Sequence, residues 1–407
     1  MYRWLLTNSA KTTVVLALRI LSQGIVLLVL ARALGAKDYG GLAAVSSLAI
    51  VLGVLPNFGA GFVLLQRSHD RSAWQDILNY SIPITLTIGT ALVVMYTVAA
   101  PWVTATSMSR WVVACVGISE LLIAPLAMLA AYTLQADDRV ARGQFVQWLP
   151  AGMKVLAACL TWLSPVSDRL LVYSLTQLIA TSIGLYIGWR ITLRSHPIQL
   201  RPRLPSLSEL RNGGAYVPMH LVAANPSEID KIVGVQALGA DAGIYAAATR
   251  LMAAAVTPVT AVLLTLQPRL FRAGSGPQDD RRNLIQLTAT SALLCGAVAA
   301  AFLITVSAVI ATLLGPSFAP IRSTLFWIAP VAPVLALRQA AGTLLMADGH
   351  PMTRLAFELT GTLALVLGLV TLGRLYGLSG ASAGLFIAEA VMAGIGWLAI
   401  LFLPTKR

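Results

Sequence analysis

QLTATSALLCGAVAAAFLITVSAVIATL, residues 286–313, runs for 28 residues without one Asp, Glu, Lys or Arg. A helix rises about 1.5 Å per residue, so about 20 residues cross the roughly 30 Å hydrocarbon core of a bilayer. Working outward from this stretch, eleven more runs read the same way: 12–34, 41–65, 81–105, 111–134, 144–163, 170–189, 214–238, 242–267, 323–347, 354–373 and 380–402. The first is too long for the apolar region of a cleavable signal and is followed by many others, so it is expected to be a span. The seventh is the most polar, with Pro218, Asn225, Pro226, Glu228, Asp230 and Lys231. The fold class expected is all-α: a polytopic membrane protein with 12 transmembrane helices in two pseudo-symmetric six-helix lobes.

Composition agrees. Of 407 residues, 57% are apolar and 11% charged, and the mean hydropathy is +0.78. A soluble domain carries about 25% charged residues and needs them to face water. The net charge of +13 would suggest nucleic acid in a soluble protein. Here its distribution explains it. With the N-terminus inside, one side of the membrane receives eighteen Lys and Arg residues and the other only Lys37, Arg110, Arg169, Arg322 and Arg374. Cytoplasmic loops concentrate basic residues, so both termini are expected in the cytoplasm and no nucleic-acid partner is needed.

The longest polar connection is a basic, Pro-rich stretch with Arg190, Arg194, Arg201, Pro202, Arg203, Pro205 and Arg211. It divides the chain into an N-terminal lobe (1–190), a cytoplasmic linker (191–213) and a C-terminal lobe (214–407). An internal echo supports two halves. Ala33-Leu34-Gly35-Ala36 recurs as Ala237-Leu238-Gly239-Ala240, Gln66-Arg67 as Gln267-Pro268-Arg269, and Ala136-Asp137 as Ala347-Asp348, in the same order. An even number of spans per half keeps both halves in one orientation, giving parallel repeats.

Catalytic and cofactor chemistry is not legible. No phosphate-binding Gly-x-x-x-x-Gly-Lys-Ser/Thr loop exists. His69, His196, His220 and His350 lack metal-ligand spacing, and Cys115, Cys159 and Cys295 lie in apolar runs. No cofactor, metal or enzymatic activity is expected.

The informative residues are charges inside spans, because one charge at mid-bilayer costs about 2.5–3.5 kcal/mol and must find a partner or water. They are Arg19, Glu120, Lys154, Glu228, Asp230, Lys231, Arg250, Arg338, Glu358 and Glu389. Lys154 shares one helix face with Gln147 and Thr161, a stripe fit to line a cavity, or it pairs with a carboxylate such as Glu120. Arg19 either lines a cavity with Gln23 or snorkels to the surface. Glu228 and Lys231 can pair beside Pro226, which weakens the helix there, so that stretch is either a gate or a self-neutralised kink.

Two segments then carry a resemblance. Arg32-Ala33-Leu34-Gly35-Ala36-Lys37-Asp38-Tyr39-Gly40 is similar to the signature of the O-antigen and polysaccharide flippase family. That family is the polysaccharide transport branch of the multidrug/oligosaccharidyl-lipid/polysaccharide exporter superfamily. Asp230-Lys231-Ile232-Val233-Gly234 and the segment 238–251, ending in Ala248-Thr249-Arg250-Leu251, resemble its seventh and eighth spans. The resemblance implies two lobes around a central cavity in the bacterial inner membrane. It implies alternating access that moves an undecaprenyl-diphosphate-linked oligosaccharide from the cytoplasmic to the outer leaflet. H+ or Na+ would be the coupling ion, and other polysaccharide-assembly proteins would be partners. Lys154, Lys231, Arg250, Arg338 and Arg19 are then the candidate cationic lining, suited to a diphosphate. Glu120, Asp230 and Glu358 are the candidate coupling carboxylates. The competing readings are a multidrug or cation antiporter of the same superfamily and a membrane-embedded glycan polymerase or ligase.

Overall fold

The structure is a computed structural model that describes residues 2–66, 71–137, 139–195, 200–214, 216–217, 221, 226–273 and 278–402. His69, His196, His220, Arg67, Pro218 and Asn225 lie outside the described residues. The chain forms two compact units, Met1–Glu228 and Ile229–Arg407. The stretch expected as a linker, 191–213, falls inside the first.

The first unit contains α1 (Tyr2–Leu52), α2 (Ala60–Gln66), α3 (Arg71–Val103), α4 (Arg110–Ile118), α5 (Ala124–Ala136), α6 (Val140–Leu163), α7 (Arg169–Ser195) and α8 (Leu207–Gly214). Helix α9 (Pro226–Leu238) leads into the second unit, with α10 (Ala242–Ala273), α11 (Gln278–Leu314), α12 (Ile321–Ile328), α13 (Val331–Ala347), α14 (Pro351–Gly368) and α15 (Arg374–Phe402). Among the described residues, seven helical stretches are long and apolar enough to cross a membrane, or eight if the bent pair α12 and α13 forms one span. The chain is a multi-pass membrane protein.

That count differs from the twelve runs read in the sequence, for identifiable reasons. Three stretches are each continuous where the sequence suggested two spans: Ala17–Leu52, Glu228–Leu263 and Pro351–Phe402. Each contains a break at a glycine: Gly35 (φ 76°), the 3₁₀ turn Gly239–Asp241, and Gly377 (φ 62°). Positive φ costs glycine nothing, so it turns the chain without a loop. At two of them the chain folds back. Gly361 faces Met392 and Gly368 faces Gly384, symmetric about Gly377, and Gly234 faces Tyr245 across the 239–241 turn. Helix α6 is long enough, but Gln147 and Lys154 lower its hydropathy. The bend of 54° between α12 and α13 sits at Pro330, where the ring removes a donor and breaks the ladder.

The legs pack through small residues, which let helix backbones approach where lipid offers no hydrophobic drive. Gly188 lies on Val146 and Gly184 on Pro150, closing α7 on α6. Gly296 lies on Pro333, closing α11 on α13. Large apolar side chains such as Leu64, Leu78 and Leu129 fill the first unit's core, and Leu345, Phe357 and Met392 the second's.

One expected span is broken outright. The run 41–65 ends as helix at Leu52, passes through an irregular turn with Pro56, Phe58 (φ 43°) and Gly59 (φ 76°), and resumes at Ala60. Helix-free backbone at membrane depth survives only against protein or a cavity. This turn has both, as the site shows.

Candidate functional site

A chamber of about 480 Å³ opens inside the first unit. Its walls come from α1 (Arg19, Gln23, Ile50), the irregular turn (Gly53, Val54, Asn57), the segment between α4 and α5 (Ser119, Glu120), α5 (Met128, Tyr132) and α6 (Gln147, Trp148, Lys154). Phe62, Tyr216, Val217 and Glu228 complete it.

Glu120 reaches the chamber through a local irregularity. Ser119–Ile123 is a π-helical turn inserted between α4 and α5. Such an extra residue rotates the following side chains and is found disproportionately at functional sites. Two glycines make room for it. A Cβ on Gly53 would lie 2.9 Å from the Glu120 carbonyl oxygen, and one on Gly89 would lie 2.8 Å from that of Leu121. Glu120 accepts a hydrogen bond from Lys154 Nζ and forms an ion pair with it. The sequence offered a cavity lysine and a lysine paired with Glu120 as alternatives; the geometry does not separate them. Lys154 lines the chamber and is paired.

The turn is held in place by side chains. Asn57 Nδ2 donates to the Pro125 carbonyl (3.0 Å), and Thr85 Oγ1 donates to Asn57 Oδ1 (3.1 Å). Ser47 Oγ donates to Glu228 Oε2 (2.6 Å), so both chamber carboxylates are engaged. Arg19 is exposed to the chamber and, among the described residues, has no carboxylate within ion-pair distance. One turn on, Ser22 Oγ donates to the Arg19 carbonyl (2.9 Å) and accepts from Trp148 Nε1 (3.0 Å).

The second unit gathers most of its intramembrane charges, though not Arg250, into a largely buried group. Lys231 Nζ meets Asp230 Oδ1 at 3.2 Å, with both side chains 3% exposed. Arg338 Nε meets Glu389 Oε2 at 2.7 Å, without the alignment of a hydrogen bond. Arg354 Nε donates to Glu358 Oε1 at 3.0 Å, one turn apart on α14. Asp230 and Glu358 lie within electrostatic range of Glu389. The Tyr245 hydroxyl is buried among them without a hydrogen-bond partner among the described residues. Three acids and three bases leave the group neutral, as a low-dielectric site requires.

Of the sequence candidates, then, Arg19, Lys154 and Glu120 meet in the first-unit chamber. Lys231, Arg338, Asp230 and Glu358 meet in the second-unit cluster, where both cations sit against carboxylates. Arg250 is half-buried on α10. The sequence had noted Glu389 as an intramembrane charge but gave it no role. Its partner Arg338 is distant in sequence, and only the fold brings them together. Among the described residues no group of three His, Cys, Asp or Glu side chains could hold a metal ion.

No family model and no curated protein matches the sequence. Solved structures do. A multidrug resistance MATE family transporter of the MOP superfamily, in an inward-facing conformation, superposes with a TM-score of 0.76 over 93% of each chain at 14% identity. The fold is that of a MATE transporter. A MATE multidrug transporter, DinF-BH, aligns at 0.69 and 16% identity, over 98% of this chain and 95% of that one. A MOP superfamily transporter from Pyrococcus furiosus, described as having a binding pocket of reverse polarity that suggests a different function, aligns at 0.63 and 12% identity. It covers 96% of this chain and 93% of that chain. What these structures share with the chain is the fold; two of them carry the name of the superfamily that the sequence resemblance pointed to.

Proposed function

We propose that the chain is a transporter working by alternating access, and that its cargo is a polyprenyl-diphosphate-linked oligosaccharide carried from the cytoplasmic to the outer leaflet. One observation carries this reading over drug export. Among the described residues, the first-unit chamber presents the Arg19 guanidinium without a carboxylate partner, while Glu120 and Glu228 are already occupied by Lys154 and Ser47. A cationic drug needs an available carboxylate. A diphosphate needs a guanidinium, which binds it by charge-assisted, two-pronged hydrogen bonds. Lys154 adds a second cation once a ligand phosphate competes with Glu120 for it. The 480 Å³ chamber has room for a head group, and the polyprenyl tail stays in lipid, where burying it costs nothing.

Lys231, Arg250 and Arg338 belong to the same proposal as further cationic groups. Glu120, Asp230 and Glu358 are the carboxylates through which H+ or Na+ would drive the cycle. The role is transport, not catalysis. The inner membrane and cytoplasmic termini, with other polysaccharide-assembly proteins as partners, follow from the same reading.

The test is transport by the purified chain in proteoliposomes. One assay follows exposure of a fluorescent undecaprenyl-diphosphate oligosaccharide to an impermeant quencher; the other follows extrusion of a cationic dye. Ion-gradient-dependent flipping that falls at least tenfold in Arg19→Ala is the expected result. Dye extrusion without flipping would replace this reading with the multidrug antiporter.

A further inference from the structure

We infer that residues 200–211 form a membrane-surface anchor, which docks on the headgroups of anionic phospholipids. It is independent of the cargo. The inference starts from depth. Trp74–Val103 is an apolar stretch of 30 residues, about 45 Å of helix, which matches a bilayer together with its headgroups. Its first turns therefore lie at headgroup level. Those turns hold the segment. The Arg201 amide donates to Asn79 Oδ1 (2.7 Å), and the Arg203 amide donates to the Asn79 carbonyl (3.0 Å). The chain also arrives from that level, since α7 ends at Ser195, five residues before Leu200. The last turns of α7 carry Tyr186, Arg190 and Arg194 at four-residue spacing, all exposed. One helix face thus bears the aromatic and basic border found where spans leave the hydrocarbon.

At this depth Leu204 and Leu207 leave 86% and 84% of their surface uncovered, and Leu200 is exposed as well. Leucines at the edge of a bilayer that the protein leaves bare gain by entering the acyl boundary. Charge selects the lipid. Arg203 takes up both nearby carboxylates, Asp76 and Glu209. Arg201 and Arg211 stay exposed, and among the described residues neither has a carboxylate within ion-pair distance. Leu207 and Arg211 share one face of α8, four residues apart, and Arg201 stands three residues before Leu204. Bare leucines flanked by unpaired guanidinium groups fit acyl chains and anionic headgroups together. The anchor also bears on the chamber. Near the end of α8, a Cβ on Gly213 would lie 2.4 Å from the carbonyl oxygen of Phe58, in the irregular turn. Tyr216 and Val217 then enter the chamber lining.

Fluorescence quenching in reconstituted vesicles tests this. The full chain, with Cys115, Cys159 and Cys295 replaced by Ala, carries a bimane label on Leu207→Cys or on Asn212→Cys, which is exposed on another face of α8. The vesicles are phosphatidylcholine with a minor fraction of either phosphatidylglycerol or phosphatidylcholine bearing a nitroxide high on one acyl chain. Labelled phosphatidylglycerol should quench Leu207→Cys and spare Asn212→Cys. It should act about fivefold more strongly than labelled phosphatidylcholine, the gain of one arginine at an anionic surface. Adding Arg201→Gln and Arg211→Gln should bring the two lipids level while both still quench, which separates headgroup recognition from a loss of fold. Equal quenching at the two positions overturns the anchor. Equal quenching by the two lipids without the arginine changes, or a preference that survives them, overturns the recognition of anionic headgroups and the proposal with it. Quenching at Leu207→Cys that falls as the protein-to-lipid ratio rises would put a second copy of the chain on this face, and also overturns the proposal.

Discussion

The Lys154–Glu120 pair joins two requirements at one residue. A lysine near the middle of a span must be neutralised, and a chamber that receives an anion must hold a cation in reserve. The pair meets both, because its exposures of 22% and 10% leave it reachable from the chamber. Lys154→Ala is expected to leave Glu120 without its counter-ion, lowering stability by about 2 kcal/mol. Lys154→Met with Glu120→Leu removes both charges and should recover most of that loss. Thermal unfolding in detergent reads this cycle. Equal loss in the single and double variants would mean that the cost does not come from the stranded Glu120 carboxylate. Transport should fail in both, since neither retains the ammonium. The sequence made Lys154 and its candidate partner legible because a charge inside an apolar run stands out and few carboxylates are within reach. Which way Arg19 turns was not legible, because a residue about 10 Å into a span reaches either the surface or a cavity.

At the scale of elements, the apolar runs were readable because lipid imposes one composition over about 20 residues. The interruptions were not. The π turn at Ser119–Ile123 and the break at Gly53–Gly59 are built from residues ordinary in any span, and their geometry is set by neighbours such as Gly89 and Thr85. One element did carry a missed signal. Ser206-Leu207-Ser208-Glu209 is a capping box: Glu209 Oε2 accepts from the Ser206 amide (2.7 Å), and the Glu209 amide donates to Ser206 Oγ (3.3 Å). It starts α8 in a stretch read only as a linker. Arg203 then clamps α8 to α3, donating to Glu209 (2.6 Å) and Asp76 (2.8 Å) with its guanidinium over the Tyr80 ring. The hydrogen bond from Arg203 holds the Glu209 carboxyl down to about 2 from its ordinary 4.5. The bonds to Glu209 and then Asp76 hold the Arg203 guanidinium above its ordinary value. A carboxyl lowered in the folded protein contributes stability that is complete above pH 4.5 and is lost as the pH falls toward 2. The clamp should therefore be insensitive to pH between about 5 and 8. Hydrogen exchange at the Arg201 amide, which donates to Asn79 Oδ1 (2.7 Å), reads it. Arg203→Ala should raise that exchange severalfold at about pH 7. Unchanged protection would show that the segment is held by its backbone alone.

For the whole molecule, the distribution of basic residues argues for an orientation, and the orientation decides how the chamber is used. The proposed orientation, drawn from eighteen basic residues against five, has both termini and the Arg203 clamp on the cytoplasmic side. In that orientation Arg19, on the first span, would be the first guanidinium met by an anion arriving from the inner leaflet, as the proposed function requires. The orientation can be measured. In a background with Cys115, Cys159 and Cys295 replaced by Ala, cysteines are placed at Arg201 and Arg110, both exposed and on opposite sides in this reading. An impermeant maleimide added to intact spheroplasts should label Arg110→Cys, and it should reach Arg201→Cys only after permeabilisation. The reverse pattern would put Arg19 at the outer end. The chamber would then first meet ligands from outside, and a carrier that loads in the cytoplasm could not use it as its entry site.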